Sequence, residues 1–224
     1  MSFLSSMQSS AVFPLSSLRG PILPLGVLIV ICGVLEAVLF GGDLGLWGTG
    51  RLRQTAYEYG GFWPGLLGTW APNYLPQPYT MFFTYAFLHG GPIHLIVNMA
   101  TLWSLGSAII DRVGTGRFLA LYVGTAIGGA GGYGVLAQTV QPMVGASGAL
   151  FGLAGALLAW TYIDRFTARI GLWPIARVAG LLVAINLVMY WALDGQLAWQ
   201  THLGGFLIGW MLAFLIDPRS RAVE

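Results

Sequence analysis

The 224-residue chain is 56% hydrophobic and only 8% charged, with a mean hydropathy of +0.74. Soluble domains carry about a quarter charged residues, so a soluble globular enzyme is excluded, and the length suits one compact membrane domain without a separate soluble one. The basic residues are all arginine and are scattered, so the net charge of +2 speaks for membrane topology and against a nucleic-acid partner.

Residues 1–20 are serine-rich with one charge, Arg19, and read as a flexible cytoplasmic tail. Six apolar spans follow, at about 21–40, 92–110, 117–138, 147–163, 175–193 and 201–216. The membrane domain is thus expected over 21–217, with a short cytoplasmic tail at 218–224. Cys32, in the first span, is the only cysteine, which leaves no intrachain disulfide and no cysteine-based metal site. Alternating sides across the spans places Arg19, Arg112, Arg117, Arg165, Arg169, Arg177, Arg219 and Arg221 together. Arg51 and Arg53 fall opposite, in a long loop, so both termini are expected in the cytoplasm. That loop, about 41–91, holds Trp47, Phe62, Trp63, Leu66, Leu67, Trp70 and Tyr74 and is expected to lie in the outer membrane interface. Pro92 suits the first turn of the second helix. Glycines crowd the third span, and Gly148/Gly152 and Gly205/Gly209 form two Gly-x-x-x-Gly steps. Such steps let the fourth and sixth helices meet backbone to backbone.

The chemistry-bearing residues gather at one depth. Spans two, four and six run from outside to inside; His94 lies in the first turn of the second, Ser147 opens the fourth and His202 opens the sixth. Asn98, four residues after His94, shares its face about 6 Å deeper at 1.5 Å per residue. The short fourth span would let Ser147 begin below the membrane surface. Intramembrane ionisable groups are costly and mark functional sites by default. A serine needs a base to become a nucleophile, and a neutral histidine is the usual one. His202 is the best placed, because the glycine steps bring its helix to that of Ser147. Asp194 and Asp217 are badly placed to orient His202, so a Ser–His dyad without an acid is expected. His94, Asn98 and the backbone N–H of Ser147 could bind an oxyanion, where one donor is worth about 10²–10³ in rate.

These residues carry a family resemblance. His94-x-x-x-Asn98, Gly145-x-Ser147-Gly148 and His202-x-x-Gly205-x-x-x-Gly209 match, in order and topology, the motifs of rhomboid intramembrane serine proteases, and the similarity covers about residues 20–217. The resemblance implies an all-α polytopic fold, a six-helix rhomboid core with a membrane-embedded first loop. It implies hydrolysis of peptide bonds in or near transmembrane segments of client membrane proteins, small residues before the scissile bond, and no metal or cofactor. It implies Ser147 as nucleophile, His202 as general base, His94 and Asn98 as oxyanion donors, and His89 as a structural residue tying the first loop to the core. A bacterial inner membrane, with the site toward the outer face, is the expected location; the partners are the lipid bilayer and the clients. Oligomeric state and client identity stay open.

One departure concerns the first loop: many relatives carry a Trp-Arg pair shortly before the equivalent of His89, where this chain has Tyr79-Thr80-Met81. Glu36 in the first span has three open readings: a place near the outer end, protonation, or a partner in the first loop. The alternative function is a catalytically inactive rhomboid-like protein that binds membrane clients. A transporter is disfavoured, because the spans do not split into matching halves. A metalloprotease is disfavoured because no His-Glu-x-x-His occurs. By position and family analogy, the fifth helix and the loop at 194–200 are the expected moving parts.

Overall fold

The computed structural model describes residues 22–48 and 50–216. The two expected tails, with Arg19, Arg219 and Arg221, and also Asp217 lie outside the described residues. Among the described residues, eight α-helices run in the order α1 (Leu23–Asp43), α2 (Leu52–Gly60), α3 (Gln77–Thr84), α4 (Pro92–Val113), α5 (Thr115–Leu136), α6 (Ser147–Thr167), α7 (Trp173–Ala192) and α8 (Trp199–Leu215). The six long ones coincide with the six expected spans, with ends displaced by a few residues. α1, α4, α5 and α7 are long and apolar enough to cross a membrane by length and composition. α8 has only 17 residues, and α6 dilutes its leucines with glycine and alanine. α6 is largely buried among its neighbours, so it needs less hydrophobicity of its own, whereas α8 is apolar but short and still exposes Leu207, Met211 and Phe214. α6 has 21 residues, as many as α1, which corrects the reading of a short fourth span.

The centre is a trio of α5, α6 and α8 packed through small residues. A methyl group added to Gly205 would strike the Gly148 carbonyl, and one on Gly209 would strike the Gly152 carbonyl. Gly132 of α5 faces Gly204 of α8 in the same way. Such close approach replaces the hydrophobic drive that lipid cannot supply between helices. At the far end of the trio, the Trp160 indole N–H donates to the Ala213 carbonyl at 2.8 Å. Arg112 of α4 lies 5.3 Å over that ring and pairs with Asp164 of α6 at 2.7 Å. α4 leans on α1 and α6, whereas α7 touches the bundle lightly, against α6 and through Asn186 to α8, and buries none of its residues.

The first loop is folded. Besides α2 and α3 it contains 3-10 turns at Pro64–Leu67 and Tyr85–Phe87. Phe62, Met81 and Tyr85 are fully buried, while Trp47 and Trp70 remain exposed. The loop therefore has its own core side and an outer aromatic side.

Candidate active site

Ser147 is the first residue of α6, where backbone N–H groups lack intrahelical partners. The chain reaches it through a turn pinned at two points. Phe62 and Met143 exchange both backbone hydrogen bonds at 2.9 Å, and the Gly145 N–H donates to the Tyr85 carbonyl at 3.0 Å. Gly145 has φ +124°, and a methyl there would lie 2.8 Å from His94 Cε1. Only glycine satisfies both demands, one of conformation and one of space.

The glycine-lined contact of α6 with α8 carries His202 to Ser147: Nε2 of the imidazole lies 2.9 Å from the serine Oγ. Phe151, one turn after Ser147, lies flat on the imidazole, with ring centroids 4.2 Å apart and planes 8° apart. The other ring nitrogen, Nδ1, lies 2.6 Å from Oδ1 of Asn186 on α7. The Asn186 Nδ2 donates to the Leu182 carbonyl at 2.9 Å, which aims its oxygen at the histidine. An amide oxygen only accepts, so Nδ1 carries the ring proton and Nε2 presents a lone pair to the serine O–H. His202 is thus oriented by an amide, without a carboxylate.

His94 and Asn98 stand on α4. Nδ1 of His94 accepts the Gly90 N–H at 3.1 Å, which leaves the neutral ring's proton on Nε2, the nitrogen beside Gly145. Asn98 is buried, and its Nδ2 donates one hydrogen to the His94 carbonyl at 2.9 Å. An amide nitrogen has two hydrogens, so one more donation is open to it. The His89 ring is fully buried and meets the His94 ring edge-on, with centroids 5.3 Å apart. Burial, and then the neighbouring His94, push its pKa down to about 4. The tie between His89 and the first loop runs through its backbone: its carbonyl accepts from Arg53 Nη1 at 2.8 Å and from the Tyr57 hydroxyl at 2.7 Å.

Arg53 supplies the loop anchor that the Tyr79-Thr80-Met81 stretch lacks. It grips Glu36 through both carboxylate oxygens, at 2.7 and 2.9 Å, and Asp43 at 2.7 Å. Glu36, buried in α1, therefore has a partner in the first loop. The hydrogen bond to Glu36 above all raises the guanidinium pKa above its usual range; burial opposes it, and the smaller contributions of Tyr57 and Asp43 raise it further.

Asn186, Phe151 and Arg53 escaped the sequence reading, although each left a trace. Asn186 is a polar residue inside an apolar span. Phe151 stands at the i+4 position from Ser147. Arg53 is one of the two arginines on the wrong side of the charge rule.

Comparison with known proteins bears on this geometry. The Rhomboid domain family pattern matches residues 76–219, well over half of the chain. Rhomboid protease GluP of Bacillus subtilis is 35% identical over 136 residues, covering 60% of this chain and 26% of its own length. RHOMBOID-like protein 5 of Arabidopsis thaliana is 37% identical over 144 residues, covering 60% and 43% respectively. Rhomboid protein 1, mitochondrial, of Saccharomyces cerevisiae is 35% identical over 150 residues, covering 62% and 41%. The chain thus spans less than half the length of these relatives.

Proposed function

The chain belongs to the rhomboid family, and from that premise we propose that this integral membrane protein is a serine endopeptidase cutting peptide bonds in or near transmembrane segments of client proteins. The observation that carries the reading is the relay Ser147 Oγ–His202 Nε2 at 2.9 Å with Asn186 on the opposite ring nitrogen. His202 Nε2 takes the serine proton as Oγ attacks the scissile carbonyl, and Asn186 holds the resulting imidazolium by accepting from Nδ1–H. The oxyanion receives hydrogen bonds from the Ser147 N–H, His94 Nε2–H and the second hydrogen of Asn98 Nδ2. His202 then protonates the leaving amine. Water attacks the acyl-enzyme, giving its proton to the same nitrogen, which passes it to Ser147 Oγ as the ester bond breaks and the acid product leaves. Gly145, Gly148, Gly205 and Gly209 hold the reacting groups together by letting the backbones approach.

The clients are expected to carry small residues before the scissile bond, as the resemblance to the family implies. The same proposal puts the protein in a bacterial inner membrane, its domain spanning 21–217, with both termini cytoplasmic and the site toward the outer face. The printed name of the Bacillus relative, a protease, accords with this reading. Labelling with a fluorophosphonate probe in mild detergent is the test. The native protein takes label on Ser147, and Ser147→Ala and His202→Ala take none. A folded native protein that takes no label, beside a labelled active relative, removes the catalytic reading in favour of a client-binding one.

A further inference from the structure

The His89–Gly90 peptide group is engaged at both ends. Its carbonyl accepts two hydrogen bonds, from Arg53 Nη1 at 2.8 Å and the Tyr57 hydroxyl at 2.7 Å. Its N–H, on Gly90, donates to His94 Nδ1 at 3.1 Å. We infer that Arg53, held by Glu36 and assisted by Tyr57, positions His94 through this single peptide unit: the cationic clamp on the carbonyl fixes and polarises the amide whose N–H sets the tautomer and orientation of the imidazole. This rests on the reading of His94 as an oxyanion donor, which it deepens.

Three physical points support the inference. A hydrogen bond accepted by a peptide oxygen strengthens the donation made by the N–H of the same unit, and more so when the first donor is charged. The clamp is rigid, because Arg53 is fixed by both oxygens of the buried Glu36 and by Asp43. Imidazole flipping is resisted on the remaining sides, where the His89 ring meets His94 edge-on and Gly145 fills the space beside Cε1 and Nε2. The proton on Nδ1 is therefore excluded, and Nε2–H faces the turn that leads into Ser147. Arg53 and Glu36 act through His94 and touch no reacting atom; they are positioning residues.

The experiment compares Arg53→Met, Arg53→Lys and Tyr57→Phe with the native protein, reading two quantities. One is the rate of fluorophosphonate labelling at Ser147, whose phosphonyl oxygen takes the oxyanion position. The other is the ¹⁵N NMR signature of His94 in ¹⁵N-histidine protein, assignable by single replacement because the chain has only three histidines. The expected result is a loss of about tenfold in labelling rate for Arg53→Met, the worth of one charged hydrogen bond, and about threefold for Tyr57→Phe. His94 is expected to change from the pure Nε2–H form to a mixture in Arg53→Met, with partial recovery of both readouts in Arg53→Lys. A purely structural clamp lowers the unfolding temperature but leaves the labelling rate and the His94 spectrum of the folded protein native, and that result overturns the inference. Where Arg53→Met fails to fold, Tyr57→Phe decides by the same two readouts. A native protein without label removes the catalytic reading, while the His94 spectra still decide the positioning one.

Discussion

Asn186 stands on a helix that, apart from Arg177 near its start, shows mainly apolar side chains. Its two hydrogen bonds run to Leu182 within its own helix and to His202 across the bundle. A net hydrogen bond is worth about 1 kcal/mol, or roughly a factor of five to ten in rate when it is strengthened as His202 takes up charge. Asn186→Ala is therefore expected to lower client turnover about tenfold while Ser147 still takes fluorophosphonate slowly; an unchanged turnover would assign Asn186 to packing alone. His89 makes a different prediction. Its folded pKa of about 4 lies below the ordinary 6.5, through burial first and His94 second. Between these two values the unfolded chain holds the proton and the folded protein does not, so stability rises with pH across that window. The contribution is complete above pH 6.5 and is lost as pH falls toward 4. It amounts to roughly 3 kcal/mol at about 1.4 kcal/mol per pKa unit. Unfolding midpoints measured from pH 7 to 4.5 should fall less steeply in His89→Phe than in the native protein.

At the scale of elements, the glycines divide by what lies beside them. The α6–α8 seam has no room for a side chain at Gly205 or Gly209, because carbonyls of α6 occupy that space. Gly205→Ala must part the two helices that carry Ser147 and His202. It is expected to cost about 1–3 kcal/mol by overpacking and to slow labelling of Ser147 in the same variant. Gly180 of α7 has nothing within 4 Å of the added methyl. Gly180→Ala is expected to raise stability by about 0.5–1 kcal/mol through helix propensity, with labelling unchanged. Thermal unfolding in detergent separates the two cases, and equal effects would mean that the seam is looser than its backbone contacts imply.

The whole molecule presents a broad apolar surface, with much of α1 and α7 exposed, such as Val30, Val34, Leu181 and Val183. A surface of that extent belongs against lipid. The site is gathered at the end where α4, α6 and α8 begin, and the Arg112–Asp164 pair closes the opposite end. The arginine bias is the ground for the proposal that this opposite end faces the cytoplasm. In a Cys32→Ala background, a cysteine replacing Asp194 should react with a membrane-impermeant maleimide added outside intact spheroplasts. One replacing Arg169 should react only after permeabilisation. The reverse pattern would invert the proposed orientation and place cleavage on the cytoplasmic face.

Composition and apolar run length by themselves determined a helical membrane protein with six long helices, because lipid forces backbone groups to pair within each span. The sequence by itself put His94, Ser147 and His202 in the first turns of three helices, with Asn98 one turn further along, since helical rise is fixed. Tertiary structure alone decided which groups meet across helices. The rotation of α7 that turns Asn186 to His202 follows no periodicity readable in so uniformly apolar a segment. Nor does local sequence reveal that Arg53 would reach Glu36 across 17 positions and the His89 carbonyl across 36. Long-range polar contacts depend on the docking of whole elements, and in this protein they orient the two histidines that the sequence had only brought to the same level.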